Sequence, residues 1–328
     1  MGHSRWSDAA YQARQWQRRL NNQTAFTYDQ DVRTSGVMRV HDLMNPYGKT
    51  RESRDSLEHP ESLAIAVIFD VTGSMGTVPR VLQTKLGALM RLLIQHGYVE
   101  HPQILFGAVG DAHCDDVPIQ IGQFESGLEM DDDLGRIVLE GGGGGQVHES
   151  YELALYFFAR HTSIDCYERR GRKGYLFTIG DEKPYPNVLR SQVRTHFGDC
   201  LEANIPVEQI IAEVRQRYEY FHIIPTNTSH GDSADVQQRW RDLIGERALL
   251  LNDETAVCET IALTIGLCEG IVSDLAAGVA DMVQAGYDAG AATNASVALT
   301  RYAATQAPLA RSVVGLPPAS VAGDDGRL

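Results

Sequence analysis

A carboxylate and two hydroxyls follow an apolar run that ends near residue 70. The run covers residues 63–69 and is rich in β-branched side chains, which is typical of a strand buried on both faces. Asp70, Thr72 and Ser74 come directly after it at alternate positions, in a loop whose glycines allow a sharp turn. Mg²⁺ and Mn²⁺ prefer such donors, because these hard ions take octahedral oxygen coordination and keep several waters. The sequence therefore predicts a divalent metal site at the end of this strand.

A second acid ends another apolar run further along the chain. Residues 174–180 (GYLFTIG) have the pattern of a buried strand, and Asp181 follows them directly. In a parallel sheet the carboxyl ends of neighbouring strands share one edge, and ligands bind beyond that edge where the strand order reverses. We therefore expect Asp70 and Asp181 to lie on the same edge of a sheet.

Strand and helix patterns alternate along the middle of the chain. Further strands are predicted over 103–110, 119–124, 220–224 and 248–251, and helices over 77–96, 149–160, 206–217, 233–244 and 254–267. Only eight residues separate the strands 103–110 and 119–124, too few for a parallel crossover, so these two should be antiparallel neighbours. The expected fold class is α/β, with a doubly wound, mostly parallel sheet, one antiparallel edge strand and helices on both faces.

Composition changes at both ends of this alternating region. Residues 1–60 carry many aromatic and charged side chains and are predicted to form an extension and linker, helical over about 7–20. Residues 61–268 hold the alternating pattern and form the predicted main domain. Residues 269–328 are rich in Ala and Gly; a helix is predicted around 271–283, followed beyond about 290 by loosely ordered chain and a flexible tail.

Charge and cysteine content exclude several functional classes. The formal charge of −14 argues against a nucleic-acid surface, because phosphate neutralisation needs a basic footprint. No apolar leader and no run long enough for a membrane span are seen, so neither export nor membrane insertion is expected. The five cysteines are scattered and odd in number, which favours reduced thiols and a cytoplasmic location.

These motifs resemble those of one protein family. AVIFDVTGSMG (66–76), followed by a long helix and later by LFTIGDE (176–182), is similar to the von Willebrand factor A domain and its metal-ion-dependent adhesion site. The first signature of that site is Asp-x-Ser-x-Ser, and Thr72 replaces the first serine here. The resemblance covers residues 61–268 and is nearest to bacterial and phage intracellular members. It implies that Asp70, Thr72, Ser74 and Asp181 hold Mg²⁺ or Mn²⁺, and that an acidic group of a partner completes the coordination.

The second loop of that site departs from the family pattern. The family usually has a Thr after a Gly-Gly pair, before a helix that ends in Ala-Leu. Counting back from the Ala154-Leu155 pair, this position falls at Gln146 or Val147, and no Thr stands there. Gln146 could offer a carbonyl oxygen, or a water could fill the position. The remaining residues expected on the partner-binding rim are Gly144, Gly145, His148, Asp111, His113 and Glu182.

Other interpretations of the same residues are less favoured. Phosphatases of the haloacid dehalogenase type need an Asp two residues after the nucleophile, where this chain has Thr72. The glycine run 141–145 lacks the Lys-Ser/Thr of a phosphate-binding loop, which favours a flexible rim loop. The cluster 110–116 could hold a second metal, contact a ligand, or simply be solvated. His148 and Glu149 could cap the following helix or contact a partner, and capping is favoured for Glu149.

Three functions follow from these observations. The first, which we favour, is a metal-dependent interaction module without catalytic activity that binds an Asp or Glu side chain of a partner protein. The resemblance implies that this partner is an ATPase or a kinase that belongs to the same system. The second is a Mg²⁺-dependent hydrolase or phosphotransferase with His113 or His148 as base. The third is an assembly component of a phage or stress-response complex, which would act through the two terminal extensions.

Overall fold

A computed structural model describes residues 4–75, 77–141 and 147–313 of the chain. The strands in these residues are β1 (Arg51–Ser53), β2 (Leu63–Asp70), β3 (Pro102–Val109), β4 (Ile119–Ile121), β5 (His148–Glu149), β6 (Thr162–Ile164), β7 (Gly174–Ile179), β8 (Lys183–Pro184), β9 (Asn187–Val188), β10 (Ile205–Pro206), β11 (Tyr218–Pro225) and β12 (Ala248–Leu251). The helices are α1 (Asp8–Leu20), α2 (Thr27–Ser35), α3 (Val78–Ile94), α4 (Glu129–Gly135), α5 (Tyr151–Arg160), α6 (Asp165–Glu168), α7 (Arg190–His196), α8 (Val207–Arg217), α9 (Ala234–Ile244), α10 (Val257–Cys268), α11 (Leu275–Gln284) and α12 (Ala289–Val313).

Six of these strands form the central sheet, in the order β12-β11-β7-β2-β3-β4. Neighbouring strands run parallel from β12 to β3, while β4 runs antiparallel to β3 at the edge. Every residue of β2 is buried, as expected for a central strand covered on both faces. The short link between β3 and β4 explains their antiparallel pairing, because it cannot carry a crossover helix.

The chain winds around this sheet in two directions. From β2 it passes through α3 to β3 on one side, and it later returns to the other side of β2 at β7. It then continues outward through α8 to β11 and through α9 to β12. Because crossovers between parallel strands are right-handed, these opposite directions place α3 on one face and α8 and α9 on the other. The predicted α/β fold is confirmed: the sheet is doubly wound and mostly parallel, with one antiparallel edge strand.

The N-terminal extension packs onto this sheet and its helices. Tyr11 of α1 is 4% exposed and lies against Gly87 of α3, where an added Cβ would come within 3.0 Å of the tyrosine ring. The strand β1, inside the predicted linker, pairs in parallel with β6. The helix predicted over 7–20 corresponds to α1, whose N-cap Ser7 accepts a hydrogen bond from the backbone N–H of Ala10.

Two sequence-based expectations differ from the structure. The chain beyond residue 290 was expected to be loosely ordered, but residues up to 313 belong to α12, which packs on α10 and α11. Its buried side chains are mostly alanines, whose small size gives a weak amphipathic signal.

Glu149 was expected to cap a helix, but it lies in β5, which pairs with β8, and the helix begins two residues later. The tail predicted to be flexible, residues 315–328, lies outside the described residues.

Of the helices that the structure describes, none combines the length and the apolar character that crossing a membrane requires.

Candidate functional site

The two acids predicted to lie on one edge of the sheet stand at the ends of the adjacent central strands β2 and β7. These strands pair as far as Phe69 and Ile179, so Asp70 lies beside Gly180 and Asp181 comes one residue later. The strand order reverses at this point, because β3 continues to one side of β2 and β7 begins the other side. Both Asp70 and Asp181 are 0% exposed. The structure thus brings the two acids together at the ligand-binding edge.

A tight turn after β2 orients the Thr72 side chain. One carboxylate oxygen of Asp70, Oδ1, accepts hydrogen bonds from the Thr72 backbone N–H at 2.7 Å and from its hydroxyl at 2.6 Å. Because the Thr72 hydroxyl donates its proton to Asp70, its lone pairs remain available to a cation. The backbone of Ser74 follows in a 3-10 turn, Gly73–Met75. Gly144, Gly145 and Gln146, also predicted at the site, lie outside the described residues.

Tyr151, on the first turn of α5, was not predicted as part of the site, and it contacts the buried carboxylate of Asp70. Its hydroxyl donates a hydrogen bond to Oδ2 of Asp70 at 3.2 Å. A Cβ atom at Gly180 would collide with this hydroxyl and would lie 3.1 Å from Cβ of Asp70. Glycine at this position therefore allows the tyrosine to reach Asp70. The hydrogen bond spans 81 residues of sequence, so no local pattern signals it.

A loop that follows β11 contacts the second acid. The backbone N–H of His230 donates a hydrogen bond to Oδ2 of Asp181 at 2.9 Å. The imidazole Nε2 of the same histidine lies 3.8 Å from a carboxylate oxygen of Glu182. Glu182, predicted on the rim, is only 6% exposed. It is therefore a buried neighbour of the two acids rather than an open rim residue.

Glu149 is a further buried acid at this edge. It is 2% exposed, and its Oε2 atom has no hydrogen-bond partner among the described residues; the same is true of Oε2 of Glu182. Burial raises the pKa of Glu149 strongly, and the charges of Asp70 and Glu182 raise it further. The sequence offered a helix cap or a partner contact for Glu149, and neither interpretation placed it among the buried acids.

Burial and the charges of neighbouring acids raise the pKa of three carboxyls at this edge, those of Asp70, Glu149 and Glu182. Burial raises the pKa of Asp70, hydrogen bonds from Thr72 oppose this only in part, and the charge of Asp181 adds to the increase. Burial and the charges of Asp70 and Asp181 raise the pKa of Glu182 to about 8. Among the described residues, Asp70 and Glu149 form no salt bridge, and the nearby Lys183 is paired with Asp235 at 2.6 Å. The edge therefore concentrates negative charge.

The predicted rim residues Asp111, His113 and His148 surround the ring of Tyr185. The Tyr185 hydroxyl donates to the Asp111 carboxylate at 3.0 Å. The ring centroids of His113 and His148 lie 4.4 Å and 5.2 Å from that of Tyr185. Burial, followed by the charge of Lys183, lowers the pKa of His148. The rim is thus built around a tyrosine that the sequence analysis did not identify.

The loop 110–116 is organised by its own hydrogen bonds. Asp111 accepts from the backbone N–H of His113 at 2.9 Å, and Asp115 accepts from that of Asp111 at 2.7 Å. In the part of the chain that the structure describes, no three His, Cys, Asp or Glu side chains are arranged as a metal cluster.

The donor set at the strand ends fits a small hard dication. It combines the carboxylates of Asp70 and Asp181 with the oriented hydroxyl of Thr72, a mixture of acids and neutral oxygens. Mg²⁺ commonly binds to one or two carboxylates and keeps several waters. A cation would also compensate the buried negative charge that raises the pKa of Asp70 and Glu182.

The raised pKa values predict that the metal-free protein loses stability as pH rises. Glu182 has an ordinary pKa of about 4.5 when unfolded and about 8 when folded, so the folded state holds more protons between these values. The free energy of unfolding should therefore fall from about pH 5 to pH 8, by at most about 1.4 kcal/mol per pH unit for each such carboxyl. Urea unfolding in EDTA at several pH values measures this slope.

The matching control compares Glu182→Gln with Glu100→Gln. The side chain of Glu100 is 89% exposed and lies away from the strand ends. Glu182→Gln should flatten the pH dependence, while Glu100→Gln should leave it unchanged. A wild-type stability that rises over this pH range in EDTA would contradict the argument.

Comparisons with known proteins give structural likenesses without sequence support. The crystal structure of the pilus adhesin SpaC from Lactobacillus rhamnosus GG, in an open conformation, has a TM-score of 0.43 and 9% identity over 67% of this chain and 31% of that chain. The proximal thread matrix protein 1 from the mussel byssus has a TM-score of 0.41 and 10% identity over 66% of this chain and 48% of that chain. The chain thus spans about a third to a half of these proteins. No model of a known protein family matches the chain, and no curated protein matches its sequence.

Proposed function

We propose that this chain is a metal-dependent protein–protein interaction module of the von Willebrand factor A type. Asp70, Thr72, Ser74 and Asp181 would hold Mg²⁺ or Mn²⁺, and an Asp or Glu side chain of a partner protein would complete the coordination. The observation that carries the proposal is the pair of fully buried acids, Asp70 and Asp181, at the strand-order reversal. The proposal includes no catalytic step.

The chemistry of the donors explains why an acidic partner would be chosen. Where the hydroxyls contact the ion directly and the acids hold it through water, the ion keeps an attraction for an outside carboxylate. A chain with a formal charge of −14 can then bind an anionic partner, because the local dication supplies the attraction. The protein's own part is to orient Thr72 through Asp70 and to hold Asp70 through Tyr151.

The state of the cysteines supports a cytoplasmic location. All five are free thiols, including the exposed Cys114 and Cys200. Exposed thiols persist most readily in a reducing compartment. A cytosolic partner protein is therefore part of the proposal.

Calorimetric titration of Mg²⁺ into EDTA-stripped protein tests the ion site. We expect the wild type to bind one ion and Asp70→Ala to bind none. Asp116→Ala is the matched control, because Asp116 is an exposed acid of the neighbouring loop and its removal changes the net charge equally. Circular dichroism checks that each variant is folded. Folded wild-type protein that takes up no Mg²⁺ or Mn²⁺ would refute the proposal.

The partner's role is tested with acetate as a minimal carboxylate. Mn²⁺ bound to the wild type enhances the relaxation of water protons, and acetate should reduce this enhancement by displacing a bound water. Acetamide, which has the same shape without the charge, should have little effect. Equal responses to acetate and acetamide would show that the ion does not select an acidic group.

A further inference from the structure

A groove lies between the N-terminal extension, the start of α3 and the segment that carries Leu139. Its cavity of about 480 Å³ is formed by α2, the segment that precedes it, and the first turn of α3. This volume lies within the range of ordinary ligand-binding sites. We call it the basic groove, and its lining includes Arg33, Arg80, Asp29, Gln30, Thr34 and Leu139.

Hydrogen bonds connect the basic groove to the strand end that carries Asp70. Arg33 donates hydrogen bonds to the backbone carbonyls of Leu139 and Glu140. The next residue, Gly141, donates its N–H to the carbonyl of Val71 at 3.1 Å. Val71 lies between Asp70 and Thr72 in the chain. The wall of the groove is therefore hydrogen-bonded, through Leu139–Gly141, to the loop that follows Asp70.

The groove carries an excess of positive charge in an acidic protein. Asp29 is compensated, because it pairs with Arg33 at 3.0 Å and accepts the backbone N–H of Leu139 at 3.0 Å. Arg80 is exposed and has no ion pair or hydrogen bond among the described residues. Arg33 is also accessible, with 49% of its side chain exposed. The Arg33–Asp29 pair is neutral as a whole, so the excess positive charge of the cavity is that of Arg80, on a chain of charge −14.

We infer that the basic groove binds a further acidic stretch of the partner whose first carboxylate contacts the ion. This inference rests on the proposed function and extends it, because it specifies a partner with several acidic residues in one extended segment. Arg80 would supply a charge-assisted contact, and the side-chain amide of Gln30 would supply hydrogen-bond donors. Two linked contacts bind more tightly than either alone, since the second forms at a high effective concentration. The N-terminal extension would then determine partner choice.

A fluorescein-labelled hexaglutamate peptide is a suitable probe, followed by fluorescence anisotropy in Mg²⁺ at low ionic strength. We expect Arg80→Ala to weaken binding by about fivefold, because an exposed charge contact contributes about 1 kcal/mol. Arg80→Lys, which keeps the charge, should stay close to the wild type. Arg194→Ala is the matched control, because Arg194 is also exposed but lines a different cavity with Asp199 and Cys200.

The outcomes separate this inference from the function on which it rests. If Mg²⁺ is required but Arg80→Ala binds like Arg194→Ala, the groove inference is wrong and the ion-site proposal stands. If Arg80→Ala weakens binding but EDTA and Asp70→Ala do not, the groove binds acidic peptides and the proposed function is wrong. If millimolar peptide gives no binding to the wild type, the groove inference is wrong, and the acetate experiment decides the ion site.

Discussion

In the Asp70→Asn variant, we expect ion binding to be lost and the metal-free protein to become more stable than the wild type. Burial and the nearby Asp181 raise the pKa of Asp70, so its charge opposes folding when no cation is bound. Asn keeps Oδ1 as acceptor for both Thr72 donors, and its amide can donate to the Tyr151 hydroxyl, which then accepts. The substitution therefore removes the charge and keeps the Thr72 hydrogen bonds, and its one cost is that the buried Tyr151 proton loses its acceptor.

Thermal unfolding in EDTA and in Mg²⁺ measures both effects in one experiment. In EDTA at pH 8, Asp70→Asn should raise the Tm by about 2–4 °C, which corresponds to about 1 kcal/mol. In Mg²⁺ at a hundred times its dissociation constant, ion binding should raise the free energy of unfolding of the wild type by about 2.7 kcal/mol. The wild type should then be more stable than the variant. Asp116→Asn, the control at an exposed position, should have the same Tm as the wild type in EDTA and in Mg²⁺. A variant less stable than the wild type in EDTA would show that the Asp70 charge is already compensated.

We expect Gly180→Ala to destabilise the protein by about 3 kcal/mol, at the upper end of the usual cost of overpacking. The added Cβ would overlap the Tyr151 hydroxyl and would lie 3.1 Å from Cβ of Asp70, closer than an ordinary van der Waals contact. Relief requires that α5 or the end of β2 move, and β2 is buried along its whole length. Ion binding should weaken as well, because Asp70 and Asp181 would no longer keep their spacing.

A double-mutant cycle with Tyr151→Phe isolates this contact. Removal of the hydroxyl deletes the nearest atom and leaves the ring carbon Cζ at 2.8 Å, so relief should be partial. The two substitutions together should cost less than the sum of the single costs, by about 1 kcal/mol or more. Urea unfolding of the wild type, the two single variants and the double variant gives the four free energies of unfolding that the cycle needs. Strictly additive costs would mean that the hydroxyl does not determine the choice of glycine.

The sheet was predictable because its signals are local. The apolar run before Asp70 identifies a fully buried strand, and the eight-residue link before β4 identifies an antiparallel edge. Asp70 and Asp181 could be assigned to one edge, because any two parallel strands end on the same side. That argument needs no knowledge of which strands are neighbours.

The surroundings of the site were not predictable, because they depend on contacts between distant segments. Tyr185 reaches Asp111 across 74 residues, and nothing in the sequence around either residue indicates the pairing. Glu149 begins neither a helix nor a turn, and its burial follows only from the pairing of β5 with β8. The helix α12 was missed because Ala292, Ala295 and Leu299 form a buried stripe of mostly small side chains.

The N-terminal extension also protects the outer strand of the sheet. The buried Arg51 donates to the carbonyls of Leu43 and Ile121, both at 2.7 Å, and the Ile121 N–H donates to Met44 at 2.8 Å. Met44 and Arg51 therefore satisfy backbone groups of β4 that a bare edge would offer to another chain. A truncation that starts at residue 61 would uncover those groups, and self-association through β4 would compete with folding.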